Sequence, residues 1–375
     1  MRLLHLHSSF QAGGKELRAA RLMTLFGPGV SHTVVSAQPG ALGAAAAIDP
    51  GITVDFPATF PPLAGFPSPG RLEKIARAMA GFDLVLTYNW GAMDAVMAHT
   101  LFAGMHRLPP LVHHEDGFNQ DEAGGLKHSR NWYRRIALGR AAGLIVPSQR
   151  LEAIALGPWA QPPGRVHRIA NGIPTAAYAG KPKPNAIPRV IKRKGELWLG
   201  TLAGLRPVKN LPRLVRAFAA LPDGWQLVIL GEGAEREAIR AAAIELEIGH
   251  RVHLPGFVAR PAEAVGLFDL FAMSSDSEQF PLAVVEAMAA GLAVVAPAVG
   301  DVAAMVAPEN APFVVAPGSG DALADALVRL AGDPQLRRKV GEANRARAWA
   351  EYDEAPMLAA YRRVYADALG TADFP

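Results

Sequence analysis

Short apolar runs of strand length alternate along the chain with stretches of helical spacing. Residues 3–6, 33–35, 84–86, 111–113 and 144–146 are such runs and predict strands, with a last one near 166–173. Between them, 16–26 and 71–79 carry apolar residues at three- and four-residue intervals and predict helices. This alternation predicts a parallel sheet with helices on both faces. Residues 181–194 then hold three prolines and six basic residues, a poor core and a good linker. Beyond them the pattern restarts. Residues 197–201, 227–230, 252–254, 267–273 and 293–295 predict strands, and 210–221, 235–246, 282–290, 321–330, 335–349 and 353–369 predict helices. The expected fold class is α/β, with two doubly wound, Rossmann-like parallel-sheet domains facing a cleft. The expected boundaries are 1–178 for the first domain, 179–195 for the linker and 196–355 for the second domain. A terminal helix, 356–375, is expected to cross back to the first. Ligands bind such folds at the carboxyl ends of the strands, so chemistry is expected in the loops that follow them.

Composition narrows the classes. At 375 residues, half of them hydrophobic, the chain suits two buried cores. No apolar run approaches the roughly 20 residues of a membrane span. The opening Arg2-Leu3-Leu4-His5-Leu6-His7 lacks the pattern of a secretory signal, and the chain is read as cytoplasmic. The absence of cysteine excludes disulfides and thiol catalysis. The mild excess of 38 basic over 34 acidic residues fits an anionic partner such as a phosphate or a membrane face. It is too weak to argue for nucleic acid, and no nucleic-acid motif accompanies it.

The sharpest segment is Ser274-Ser275-Asp276-Ser277-Glu278-Gln279-Phe280-Pro281, which runs from a predicted strand into a predicted helix containing Leu282, Ala283 and Glu286. Free N–H groups at a helix start attract phosphate, and a carboxylate accepts two hydrogen bonds from adjacent hydroxyls of a sugar. Alternatively, Glu278 caps the helix and Glu286 is a surface charge. Leu282, Val285, Met288 and Ala289 around Glu286 argue against a freely solvated face. Upstream, Gly204-Leu205-Arg206-Pro207-Val208-Lys209-Asn210 puts two cations at another loop-to-helix junction, where they suit a diphosphate or are exposed surface charges. Gly231 and Gly233 read as simple turn glycines.

In the first half, Gly13 and Gly14 follow the first strand, where paired glycines admit a close ligand. His113, His114, Glu115 and Asp116 end a strand; consecutive strand residues face opposite sides, so the two histidines do not easily share a metal ion. The alternative is one buried and one solvated histidine. The basic, aromatic stretch 130–136 reads as an ordinary helix with a solvated basic face or as a contact for an anionic membrane.

The segment from Glu278 to Glu286, with Gly291-Leu292-Ala293 and Gly300-Asp301-Val302 after it, resembles the signature of the family 4 retaining glycosyltransferases of the GT-B fold, the glycosyl transferases of group 1. The resemblance implies a nucleotide diphosphate sugar as donor, a glycan or lipid-linked acceptor, and a role in polysaccharide or glycolipid assembly. By position it implies Glu286 on the donor ribose and Glu278 on the transferred sugar. Arg206 and Lys209 would meet the diphosphate in place of a metal, and the N–H groups of Phe280, Leu282 and Ala283 would approach it. Gly13, Gly14, Gly204, Phe257 and Val258 would lie near the donor. His113 or His114, with Asp116 sharing the role, would meet the sugar. Pro281 stands where many members have glycine and cannot donate; its φ suits a first helical turn. The turn Asn171-Gly172-Ile173 is read as a hinge. No cofactor or metal is implied. The membrane-contact reading of 130–136 would place the chain peripherally at the inner membrane. The rivals are a nucleotide-sugar epimerase of the same fold and a non-catalytic nucleotide-sugar-binding protein.

Overall fold

The computed structural model describes residues 1–118, 122 and 125–375. Two compact units divide them. The first comprises Met1–Ala170 and Met357–Pro375, the second Asn171–Pro356.

In the first unit the strands are β1 (Arg2–His7), β2 (Ser31–Ser36), β3 (Val54–Asp55), β4 (Leu84–Tyr88), β5 (Leu111–His114), β6 (Gly143–Val146) and β7 (Val166–Arg168). They form a parallel sheet in the order β3-β2-β1-β4-β5-β6-β7 among the described residues. Its helices are α1 (Gly14–Phe26), α2 (Pro69–Met79), α3 (Met93–His106), α4 (His128–Ala137) and α5 (Gln149–Leu156). Strand alternation divides the core in two. Leu4, Leu6, Val85 and Leu111 pack with α2 and α3 on one face. Leu3, Leu86, Tyr88 and Val112 pack with α1 and the terminal residues Tyr361 and Tyr365 on the other. All five residues of β4 are buried because both faces are covered.

The second unit has β8 (Leu197–Leu202), α6 (Leu211–Phe218), β9 (Trp225–Leu230), α7 (Arg236–Glu245), β10 (Val252–Gly256), β11 (Leu270–Ala272), α8 (Leu282–Ala289), β12 (Val294–Pro297), α9 (Val302–Met305), β13 (Val314–Val315), α10 (Gly320–Gly332) and α11 (Pro334–Glu351). The strand order is β10-β9-β8-β11-β12-β13. The last helix, α12 (Glu354–Leu369), starts in the second unit and continues into the first from Met357.

The second unit begins at Asn171, earlier than the boundary at 178 read from the sequence. Ile173 bridges to Asp353 within it, and Ile187 is buried. Lys192 ion-pairs with Asp269 at 2.6 Å and donates to the Leu267 carbonyl. The expected linker, 179–195, is therefore a strap on the second unit. The expected strand 267–273 is shortened by a 3₁₀ turn at Val265–Leu267. The expected helix 210–221 begins at Leu211, after a separate 3₁₀ turn at Pro207–Lys209.

Candidate functional site

In a sheet ordered β9-β8-β11-β12, the chain winds outward in both directions from the β8/β11 pair. The loops leaving those two strands part there and frame a crevice. They are residues 203–210 and 273–281, which contain Arg206, Lys209 and Glu278. Ser274 Oγ donates toward the carbonyls of Lys209 and Asn210, both at 2.9 Å. The Asp276 N–H donates to the Val208 carbonyl at 2.8 Å. The Asp276 carboxylate takes Asn210 Nδ2 at 3.1 Å and ion-pairs with Arg213 at 2.7 Å. Asn210 turns the chain into α6 in the left-handed region, φ 43°, which asparagine tolerates better than most residues.

Three glycines permit the close approaches. At Gly231, φ 149°, a Cβ would lie 1.8 Å from the Ala203 carbonyl oxygen, so no side chain fits where β9 ends against the loop after β8. Gly231 thus has a packing role beyond that of a simple turn glycine. At Gly233, φ 153°, a Cβ would lie 2.4 Å from the Leu205 carbonyl oxygen, so it too is more than a simple turn glycine. At Gly300, φ 57°, a Cβ would lie 2.6 Å from the Glu278 carbonyl oxygen, and the neighbouring Asp301 N–H donates to Gln279 O at 2.9 Å.

Within this frame Lys209 Nζ ion-pairs with Glu278 Oε1, which also accepts from Ser275 Oγ at 2.7 Å. Both charged side chains are largely buried, at 17% and 12% exposure. Glu278 is therefore held by a cation and a hydroxyl, and no side chain caps α8. Arg206 is exposed at the start of the turn that carries Lys209, and Gly204 is exposed two residues before it. Pro281 is the N-cap of α8 with extended backbone, so the first-turn N–H groups of the helix begin at Leu282 and Ala283. Phe280 is buried edge-on against Tyr352, ring centroids 5.5 Å apart.

Glu286, the fifth residue of α8, is half-buried, and its Oε1 accepts from the Tyr178 hydroxyl at 3.1 Å. Burial pushes the Glu286 carboxyl up to about 7, opposed by that hydrogen bond. Sequence reading missed Tyr178, which it placed at the edge of the other domain, and gave no role to Ser274, Ser275, Asp276 or Arg213. Polar residues directly after a strand were the available signal for Ser274, Ser275 and Asp276; nothing local marked Tyr178. Phe257 is exposed and Val258 half-buried just after β10.

In the first unit, His113 and His114 are both buried, not one buried and one solvated, and face opposite sides of β5. His114 lies in a ladder across three strands. Register aligns His7 with Tyr88 and Tyr88 with His114, and the rings stack at 3.9 and 4.6 Å. His114 Nδ1–H donates to the Thr87 carbonyl at 3.2 Å, which leaves Nε2 to accept from the Tyr365 hydroxyl at 2.9 Å. Burial, then Arg18, brings its pKa down to about 3. His113 shares a hydrogen bond between Nδ1 and Thr87 Oγ1 at 2.8 Å, while its Nε2 makes no hydrogen bond among the described residues and lies 3.8 Å from the buried Glu115 Oε2. Asp116 takes both Nη groups of Arg18, at 2.5 and 2.8 Å, and Arg18 holds its carboxyl below the usual range despite burial. Gly13 is the extended N-cap of α1 and Gly14 its first residue.

Helix α4 departs from a uniformly solvated basic face. Arg134 is fully buried, donating to Glu115 and Glu122 at 3.3 Å with its guanidinium over Trp90, Phe118 and Trp159. Trp132 is 67% exposed on the same helix. Among the described residues no group of three or more His, Asp or Glu side chains is placed to hold a metal ion.

Known proteins share this architecture. HepE from Anabaena, solved in complex with UDP and glucose, superposes with a TM-score of 0.80 over 98% of this chain and 99% of that one, at 21% identity. N-acetyl-alpha-D-glucosaminyl L-malate synthase of Bacillus anthracis is 27% identical over 170 residues, 45% of each chain, so the match spans less than half of that relative. A GDP-mannose-dependent alpha-mannosyltransferase of Mycobacterium tuberculosis is 26% identical over 292 residues, 74% of this chain and 72% of the other. The fold is GT-B. Residues 4–177 match the Glycosyltransferase Family 4 description and 183–347 match Glycosyl transferases group 1. With one match in each half, the chain belongs to the family 4 glycosyltransferases, the glycosyl transferases of group 1.

Proposed function

We propose that this chain is a retaining glycosyltransferase that moves a sugar from a nucleotide diphosphate sugar to a glycan or lipid-linked acceptor in cell-surface polysaccharide assembly. The observation that carries the reading is the Lys209–Glu278 pair at the β8/β11 switch point, with Arg206 exposed one turn away. A donor would part that pair by giving each member a new partner, phosphate for Lys209 and sugar hydroxyls for Glu278. Charge grows on the diphosphate as the glycosidic bond breaks, and fixed cations stabilise it most at that moment. Arg206 and Lys209 then do what a metal ion would otherwise do, and no cofactor takes part. The open start of α8 adds the Leu282 and Ala283 N–H groups, with Phe280 just before them. Glu286 takes the ribose diol, and Gly204, Phe257 and Val258 add donor contacts within the second unit. Within the first unit, His113 is the better candidate for a sugar contact, because both ring nitrogens of His114 are engaged in hydrogen bonds. The HepE complexes with UDP and with UDP-glucose support the donor class. Retention follows from a front-face displacement in which the leaving oxygen takes the acceptor proton.

Calorimetry tests the assignment. Glu286→Gln should weaken a nucleoside diphosphate about tenfold or more, since charged hydrogen bonds contribute roughly 1.5–3 kcal/mol each. Glu278→Gln should spare the free nucleotide while weakening the intact donor and slowing transfer. Negligible effects of both changes on both ligands would sink the reading. Chelator should leave activity intact, and metal-dependent activity would contradict the role given to Arg206 and Lys209. Donor turnover without acceptor would point to an epimerase; tight donor binding with no transfer to any acceptor would point to a non-catalytic binding protein.

The lipid-linked acceptor and inner-membrane contact find support in α4. Trp132 and Ile136 are exposed there beside Arg135, and Leu101 and Met105 are exposed on α3, which contacts α4 through Thr100 Oγ1 and the Ala137 carbonyl at 2.5 Å. Among the described residues no helix is long and apolar enough to cross a membrane. Such a face suits peripheral contact with anionic lipid from the cytoplasmic side. Co-sedimentation with phosphatidylglycerol vesicles, lost in Trp132→Glu, would support it; equal sedimentation of both proteins would remove it.

A further inference from the structure

We infer that Tyr178 is a positioning residue for nucleotide binding, its hydroxyl fixing the Glu286 carboxylate in the orientation that meets a ribose diol. The inference rests on the reading of Glu286 given above. A glutamate on a helix has three side-chain torsions to restrain before it offers a fixed pair of acceptors. Tyr178 supplies that restraint from a second element. Its hydroxyl reaches Glu286 Oε1 at 3.1 Å, while Oε2 has no partner among the described residues.

Tyr178 is itself immobilised. It is 6% exposed and ends the 3₁₀ turn Thr175–Tyr178. Thr175 Oγ1 donates to Asp353 Oδ2 at 2.5 Å and its N–H to the same oxygen at 3.3 Å. Ile173 N–H donates to the Tyr352 carbonyl and Glu354 N–H to the Ile173 carbonyl, both at 3.0 Å. A line of contacts therefore runs from the end of α11 through Asp353, Thr175 and Tyr178 to Glu286, all within the second unit.

Tyr178 is the one titratable group that the structure sets against this carboxylate among the described residues. Its hydrogen bond favours the ionised form, against the burial that raises the carboxyl to about 7. A ligand that needs the carboxylate binds less well as the pH falls through that value. Without the hydroxyl the carboxyl rises further, so the loss of binding begins at higher pH.

The test is calorimetry of UDP, GDP and ADP with wild type, Tyr178→Phe, Glu286→Gln and the double variant from pH 5.5 to 9, with thermal unfolding as a check on folding. For the nucleotide that binds, Tyr178→Phe should lower affinity roughly three- to tenfold at pH 7 and move the midpoint of the acid-side loss upward by about half a pH unit or more. The deficit should shrink toward pH 9, and in the Glu286→Gln background Tyr178→Phe should add nothing. Thr175→Val, which loosens the turn without touching the carboxylate, should act in the same direction more weakly. A loss of equal size at every pH, an unmoved midpoint or tighter binding by Tyr178→Phe would overturn the inference. If Glu286→Gln itself left binding unchanged, the ribose assignment would fail instead.

Discussion

The two sheets share one winding pattern but end differently at their switch points. In the second unit the loops after β8 and β11 present half-buried charge, with Lys209 on Glu278, Ser275 beside them and Arg206 in solvent. In the first unit the neighbouring ends of β1, β4 and β5 are sealed. His7, Tyr88 and His114 stack as a continuous layer, and Tyr365 covers His114. Arg18 and Asp116 are paired beside that layer, both nearly inaccessible. The same topology thus yields a polar mouth in one unit and a buried aromatic floor in the other. Winding order locates a crevice; the side chains at the strand ends decide whether it is open to an anion.

Breaking the sealed floor should have the largest effect. Arg18→Ala leaves Asp116 buried and unpaired, which should destabilise the first unit by about 3–5 kcal/mol. Urea unfolding followed by pulse proteolysis should show that loss in fragments of the first unit and spare the second.

Acid should act on the same floor. His5, His7, His32 and His114 are held below their ordinary range chiefly by burial, His32 down to about 4 and His114 to about 3. Groups with depressed folded pKa values keep the unfolded chain the better proton acceptor. Stability is therefore full above about pH 6.5 and falls as the unfolded histidines protonate. Between pH 6.5 and 5.5 the loss should be roughly 1 kcal/mol per histidine, since each pH unit is about 1.4 kcal/mol at full titration. Equal acid sensitivity of the two units would break the contrast.

At the polar mouth the effect should be on rate. Lys209→Ala should lower turnover about a hundredfold, in line with the loss of one charge-stabilising donor at a transition state. Ser275→Ala removes one hydrogen bond to Glu278 and should raise the donor KM by about tenfold at most, with folding unchanged. A larger loss of stability than of activity in either variant would mean that this region is a structural network like the floor of the first unit.

The sequence carried these regions unequally. The Glu278–Glu286 segment was readable because a strand, a polar loop and a helix follow one another within a few residues. Alternation along β5 correctly separated His113 from His114. It did not reveal that both are buried; the Tyr361 and Tyr365 that cover His114 lie about 250 residues away in sequence. Helix α3 gave no pattern to read: Met93 and the run from Ala95 to His99 are all buried, so no polar face marks the turn of the helix. Tyr178 and Lys192 were assigned to a boundary and a linker because proline and lysine dominate that stretch. Their partners Glu286 and Asp269 become neighbours only through folding.

The placement of α12 bears on the order of synthesis. A nascent chain that has reached residue 170 already contains β1 to β7 but lacks Tyr361, Tyr365 and Phe374, which belong to the same core. The second unit, continuous from 171 to 356, waits for nothing downstream. Although domains generally form in the order in which they are made, here the earlier-made sheet is completed last. Until then His114 lacks its Tyr365 partner and the β1–β4–β5 layer its cover. A translation pause before residue 357 would prolong the exposure of that aromatic layer.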